Sequence, residues 1–273
     1  MLKIPLIALL AIMTILVVEV FFKYNKNMTL DNNKKNILFI HHSTGGNLLS
    51  QGEVRKLLIA KSDDVAFWDH GYNLYPSLLL SKILGPITFR TGLSDPKGRQ
   101  TSEDFDIVIS NNSPREYAEI FNREISDPTL SKILKFDTII FKNCFPTTKI
   151  ESDEQLEEII EYYKKVKTGV ERFPEKTFVV FTPPPVRAEV TKPESAKRAR
   201  KLADWMNSTE FISTSSNLKV FDFYSLLADL KGENANMLRR DYVPLIYLDS
   251  HPNRKANQQI APMFVEFINN LLL

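Results

Sequence analysis

The chain has 273 residues, 43% of them apolar and 25% charged, with a formal net charge of +2. That balance is ordinary for a globular protein and gives no ground for a nucleic-acid partner. Cys144 is the single cysteine, which excludes an internal disulfide, and no CxxC or Cys/His zinc pattern is present.

The chain opens on "MLKIPLIALLAIMTILVVEVFF", whose apolar stretch from Ile4 to Phe22 comes close to the length that spans a bilayer core. No small-x-small cleavage site follows it, so residues 1–22 are expected to be an uncleaved signal anchor, a transmembrane helix. Residues 23–35, "KYNKNMTLDNNKK", are polar and make a stalk. Residues 36–273 remain as one domain, roughly 240 residues, enough for a full core. The basic residues after the anchor favour a cytoplasmic domain by count. Short N-terminal anchors commonly export the domain behind them, and the expectation adopted is an extracytoplasmic domain held to the membrane by this one helix.

Along that domain, short runs rich in β-branched and aromatic residues predict strands at 36–40 (NILFI), 64–68 (DVAFW), 106–110 (DIVIS), 137–142 (DTIIFK), 177–182 (TFVVFT) and 218–223 (LKVFDF). Most are apolar throughout, as in a parallel sheet covered on both faces. Helical patterns lie between them at 47–60, 113–125, 152–173, 194–208 and 253–272, the last containing Pro262. The helix over 152–173 carries acids early and lysines late, as its dipole favours. Strands alternating with helices predict an α/β fold, a three-layer α/β/α sandwich around a mostly parallel sheet. Residues 84–104, with three glycines and two prolines, read as an irregular surface excursion. "KRARK" at 197–201 reads as a solvated helix face.

Ligands of an open parallel sheet bind beyond the carboxyl ends of its strands. "NILFI" runs straight into "HHSTGGN", so Ser43 sits at that edge, with Gly45 and Gly46 permitting a tight turn. The next helix aims its first amides at the same place. Ser43 is either a cap or a nucleophile, and a nucleophile needs a base and an orienting group. "YLDSHPN" at 247–253 supplies both, with His251 to take the Ser43 proton and Asp249 to hold the imidazole.

The serine after the first strand, the strand ending in "IIFKNCFP" and the late "DSHPN" together resemble the SGNH (GDSL-like) hydrolase superfamily. The resemblance spans about residues 36–270 and rests on these three short blocks. It implies a flavodoxin-like sandwich that cleaves esters with no cofactor and no metal. It also implies an oxyanion hole from the amides of Ser43 and Gly71 and the side chain of Asn143, for which holding a loop is the equal alternative. The chain differs from the family pattern in three places. His41 and His42 stand where glycine-aspartate is usual, one residue rather than two separates Asp249 from His251, and the middle glycine-x-asparagine-aspartate block is absent as such.

Adjacent strand residues face opposite ways, so one of His41 and His42 at most reaches the site. His42, His70 and Asn73 are the pocket candidates. A metal site from these histidines with Asp69 and Asp249 has no recognised ligand spacing and is not expected. Cys144 is expected to pack, and "TPPPVRAE" at 182–189 to act as a stiff connector. The function these features predict is a serine esterase or deacylase acting on a small-molecule or glycan O-acyl ester, such as an acetylated envelope glycan. The alternative is an inactive module of the same fold that binds an anionic or carbohydrate ligand.

Overall fold

A computed structural model describes residues 28–72, 92–107, 109–110, 112–212, 217–244 and 249–272. The expected anchor over 1–22 and the pocket candidate Asn73 lie outside these residues. Among the described residues no helix is long and apolar enough to cross a membrane.

The chain forms β1 (Lys35–His41), α1 (Ser43–Gln51), α2 (Val54–Lys61), β2 (Val65–Gly71), β3 (Gly92–Ser94), α3 (Arg115–Phe121), α4 (Pro128–Ile133) and β4 (Thr138–Lys142). It continues through α5 (Asp153–Glu171), β5 (Thr177–Phe181), α6 (Pro193–Met206), β6 (Leu218–Phe221), α7 (Phe223–Leu227) and α8 (Arg254–Leu272). The sheet order is β3-β2-β1-β4-β5-β6. All neighbours are parallel except β2 and β3. Side chains of each strand alternate between two cores. Leu38, Ile40, Ile139, Phe141, Phe178 and Val180 face α3–α6. Ile37, Phe39, Phe67, Ile140, Val179 and Phe181 face α1, α2, α7 and α8. The three layers and the mostly parallel sheet are those expected from the unbroken apolar strands.

Local chemistry sets several boundaries. Asp127 caps α4 by accepting from the amides of Thr129 and Leu130, with Pro128 at the first helical position. Ser152 caps α5 through the Gln155 amide. The single helix expected over 47–60 is two, divided at Gly52 and Glu53, where Glu53 takes a left-handed φ of 55°. A Cβ on Gly52 would stand 2.5 Å from Ala261 Cβ, so the break lets α8 pass close. Pro262 lies inside an uninterrupted α8.

Two expectations fail. Residues 106–110 form no strand among those described, although Ile107 and Ile109 are buried. Asp106 has a φ of 53°, and the sheet edge beyond β2 is already taken by β3. That strand comes from the 84–104 stretch read as a surface excursion. An apolar run satisfies its burial against the α3–α6 layer without needing a ladder, which periodicity alone does not distinguish.

β1 has β2 on one side and β4 on the other, so the chain's winding reverses at β1. Its carboxyl end is the crevice where ligands of such sheets bind.

Candidate active site

Ser43 is the first residue of α1, directly beyond β1. Its N–H belongs to the helix's unpaired first turn, since the first helical bond runs from the Gly46 N–H to the His42 carbonyl at 3.0 Å. The close turn depends on Gly45. A Cβ there would stand 2.5 Å from His41 Cβ and 3.1 Å from Phe39 Cζ.

The loop before α8 carries the other two predicted residues. His251 Nε2 lies 2.6 Å from Ser43 Oγ. His251 Nδ1 lies 2.7 Å from Asp249 Oδ2, and the Asp249 carboxylate also accepts from the His251 backbone N–H at 3.1 Å. With one residue between them, Asp249 therefore grips both the ring and the backbone of His251. Phe145 packs edge-on against the imidazole, 5.2 Å between ring centres. The Pro-rich segment leaving β5 is buried and fixes this loop, where the Arg187 N–H donates to Ser250 Oγ at 3.1 Å. His251 and Asp249 remain partly open to solvent, at 22% and 43% side-chain exposure, so substrate and water have access.

The two histidines of "HHS" divide as strand alternation requires. His41 is buried, its Nε2 2.9 Å from Asp69 Oδ2 and its Nδ1 3.0 Å from the His42 carbonyl. Asp69 also pairs with Arg55. Burial alone would raise the Asp69 carboxyl, but Arg55 and His41 outweigh it and hold it at about 2. His42 turns to the site, its Nδ1 3.0 Å from Ser43 Oγ. Its ring lies 5.5 Å from that of Tyr72.

Below the serine sits a buried polar cluster that the sequence did not single out. Lys142 is fully buried and donates to Thr44 Oγ1 at 2.5 Å. Cys144 Sγ lies 3.5 Å from Thr44 Oγ1 and 3.9 Å from Ser43 Oγ. Burial would push the Cys144 thiol up, but the Lys142 ammonium and a hydrogen bond from His42 outweigh it and bring it down to about 5. Burial pushes the Lys142 ammonium down. Cys144 packs as expected, and it also places an acidic thiol under the nucleophile. The alternation of side chains along β4 was the available signal. Lys142 follows Ile140 onto the face of α1, and Phe141 takes the other.

Three predicted residues stand differently. Asn143 is fully buried, its Nδ2 donating to the Ser113 carbonyl at 3.0 Å and its Oδ1 accepting from the Tyr163 hydroxyl at 3.0 Å. It has the contacts of a loop stabiliser, and no hydrogen bond among the described residues joins it to Ser43. Gly71 ends β2, where the next amide, Tyr72 N–H, donates to the His41 carbonyl at 3.1 Å. Successive amides of a strand point to opposite sides, so the Gly71 N–H faces β3 rather than Ser43. His70 is fully buried in the α3–α6 layer, accepting from the Phe105 N–H at 3.1 Å and stacking on Phe105. It holds the loop before α3 and does not reach the pocket. Among the described residues no cluster of three or more His, Cys, Asp or Glu could hold a metal ion.

No protein-family profile and no curated protein sequence matches this chain. Solved structures do. An acetyl esterase, crystallised with acetate as a serine-to-alanine mutant, superimposes with a TM-score of 0.50 at 13% identity, covering 86% of this chain and 99% of that one. The two share the fold. Structures of similar likeness include a carbohydrate esterase family 3 protein from Talaromyces cellulolyticus (TM-score 0.49, 15% identity, 86% and 97% covered). Another is a GDSL-like lipase from Bacteroides thetaiotaomicron (TM-score 0.47, 10% identity, 95% and 98% covered). These structures cover most of this chain, and the likeness is one of fold.

Proposed function

We propose that the protein is a serine esterase of the SGNH type that hydrolyses O-acyl esters. One observation carries the reading. Ser43 Oγ, His251 Nε2 and Asp249 Oδ2 stand in line at 2.6 and 2.7 Å, at the switch point of the sheet. Asp249 accepts a hydrogen bond from Nδ1–H, which fixes the proton there and leaves Nε2 bare to take the Ser43 proton.

In the reaction Ser43 Oγ attacks the acyl carbon while His251 takes its proton. The tetrahedral intermediate collapses, the ester C–O bond breaks, and His251 returns the proton to the leaving alcohol. Water, deprotonated by His251, then attacks the acyl-serine and the second collapse restores Ser43. Negative charge on the carbonyl oxygen is met by the Ser43 amide at the positive end of α1. Gly71 and Asn143 would add to this hole only if the Gly71 peptide turns, and only through the one Nδ2 hydrogen that Asn143 keeps. Asp249 stabilises the imidazolium without taking its proton.

For the substrate we propose a short acyl group, acetyl, on a glycan. If residues 1–22 anchor the domain outside the membrane, an acetylated envelope glycan is within its reach. The test is labelling of the full-length chain with a fluorophosphonate probe, comparing Ser43→Ala and His251→Ala. Labelling of the parent and of neither variant supports an activated serine. A folded parent that takes no label returns the fold to a binding role.

A further inference from the structure

The nucleophile's oxygen touches a second histidine that the triad does not use. His42 Nδ1 lies 3.0 Å from Ser43 Oγ. Proton counting fixes the sense of this contact on the reading proposed above. His251 Nδ1–H donates a hydrogen bond to Asp249, so Nε2 accepts one from the single proton of Oγ. Oγ has no second proton to offer, and the His42 contact is a hydrogen bond only with Nδ1–H donating to Oγ.

A donor on this oxygen is placed for more than the resting state. The oxyanion that forms on attack shares its carbon with Oγ, so a donor on Oγ that is not the base is within a small ring rotation of it. Among the described residues the two other candidates are turned to other partners, with Asn143 engaged by Ser113 and Tyr163 and the Gly71 amide facing β3. His42 is also held for the task. It is the residue before α1, extended at φ −110° and ψ −163°. Its carbonyl is gripped by His41 at 3.0 Å, and its ring leans on Tyr72, whose hydroxyl donates to the Lys142 carbonyl at 3.0 Å. His42 is only partly buried, as is Ser43 beside it.

We propose that His42 is a catalytic residue, the side-chain donor of the oxyanion hole, taking through Nδ1–H the place the family pattern gives to Asn143. No proton leaves His42 in the cycle. It donates a hydrogen bond to Oγ before attack, to the carbonyl oxygen as charge builds there, and to Oγ again as the acyl-serine breaks down.

The proposal rests on the esterase reading, and the experiment separates the two. The full-length chain and its variants are assayed with p-nitrophenyl acetate and with the fluorophosphonate probe. His42→Ala should lower kcat by about 100-fold with KM within threefold, as loss of one such donor does, and slow probe labelling by a similar factor. His42→Phe keeps a ring on Tyr72 but has no donor and should be equally impaired. His42→Gln restores a donor and should recover at least tenfold. On this proposal Cys144→Ala should lose at least tenfold less kcat than His42→Ala, which separates the oxyanion role from one exerted only through the thiol. The proposal is overturned if His42→Phe stays within threefold of the parent, if only KM moves, or if Cys144→Ala reproduces the His42→Ala loss. If Ser43→Ala retains full activity, the esterase reading itself is what fails.

Discussion

Among the described residues two histidine–aspartate pairs approach within 3.0 Å, His251–Asp249 at 2.7 and His41–Asp69 at 2.9 Å. They have the same chemical groups and opposite uses. In the first, one ring nitrogen meets the carboxylate and the other meets a hydroxyl that can give up its proton. In the second, the far nitrogen meets the His42 carbonyl, which only accepts. Both His41 nitrogens thus face acceptors, and neither faces a group with a proton to give up. Exposure differs in the same direction. The His251 and Asp249 side chains are 22% and 43% exposed, those of His41 and Asp69 only 4% and 11%. A histidine beside a carboxylate is therefore a base or a brace according to what its second nitrogen faces.

The largest expected effect tests that division directly. His251→Ala should remove at least 1,000-fold of kcat/KM while the thermal midpoint stays within a few degrees, because the ring is partly solvated. His41→Ala should do the reverse. It strips Asp69 and the His42 carbonyl of a buried partner, at a cost of about 2 kcal/mol, and the loss should appear first in urea unfolding. A His41→Ala protein that is as stable as the parent but inactive would collapse the distinction and make His41 part of the chemistry.

How much of this is readable in the sequence depends on the range of the interactions. The strands β1, β4, β5 and β6 were visible because a strand covered on both faces must be apolar at every position. The pairing of Ser43 with His251, 208 residues apart, was visible because a sheet delivers strand ends to one edge whatever the loops do. β3 was not visible, since three residues, Gly92–Ser94, carry no period. The assignment of His70 and Gly71 to the site missed the length of β2. The strand was expected to stop at Trp68, which would have left both residues in a loop free to turn inward. It runs on to Gly71 instead, and so the ladder dictates where they point. The orientation of Asn143 depends on Ser113 and Tyr163, brought to it by separate helices, and no local pattern encodes such a meeting.

A middle-sized effect sharpens the comparison by pH. Asp69 is held at about 2 in the fold against 3.8 ordinarily. A carboxyl with a depressed value adds stability that is fully present above the unfolded value and is lost as pH falls through the folded one. The expected contribution is about 2 kcal/mol at neutral pH, disappearing between about pH 4 and pH 2. Asp69→Asn should lose it at pH 7, so that parent and variant converge in urea midpoint as the pH approaches 2. Equal sensitivity to acid in both would mean that Asp69 is not what braces the β1–α1 turn.

The smallest effect concerns the carboxyl end of β4, where three buried hydroxyls meet. Tyr72 and Tyr117 both donate to the Lys142 carbonyl, at 3.0 and 3.2 Å, and Tyr163 donates to Asn143 Oδ1. Burial pushes all three phenols up, so they stay protonated donors across any working pH. Tyr163→Phe removes one donor and leaves a buried amide oxygen unpaired, at a cost of about 1 kcal/mol. If Asn143 serves only to tie the 113 loop to α5, stability should fall by that amount and kcat should stay within twofold. If Asn143 also reaches the oxyanion, releasing its Oδ1 lets the amide reorient, and kcat should move while the thermal midpoint barely does. The ratio of the two changes, measured on one conservative variant, separates a residue that holds the site's wall from one that faces the substrate.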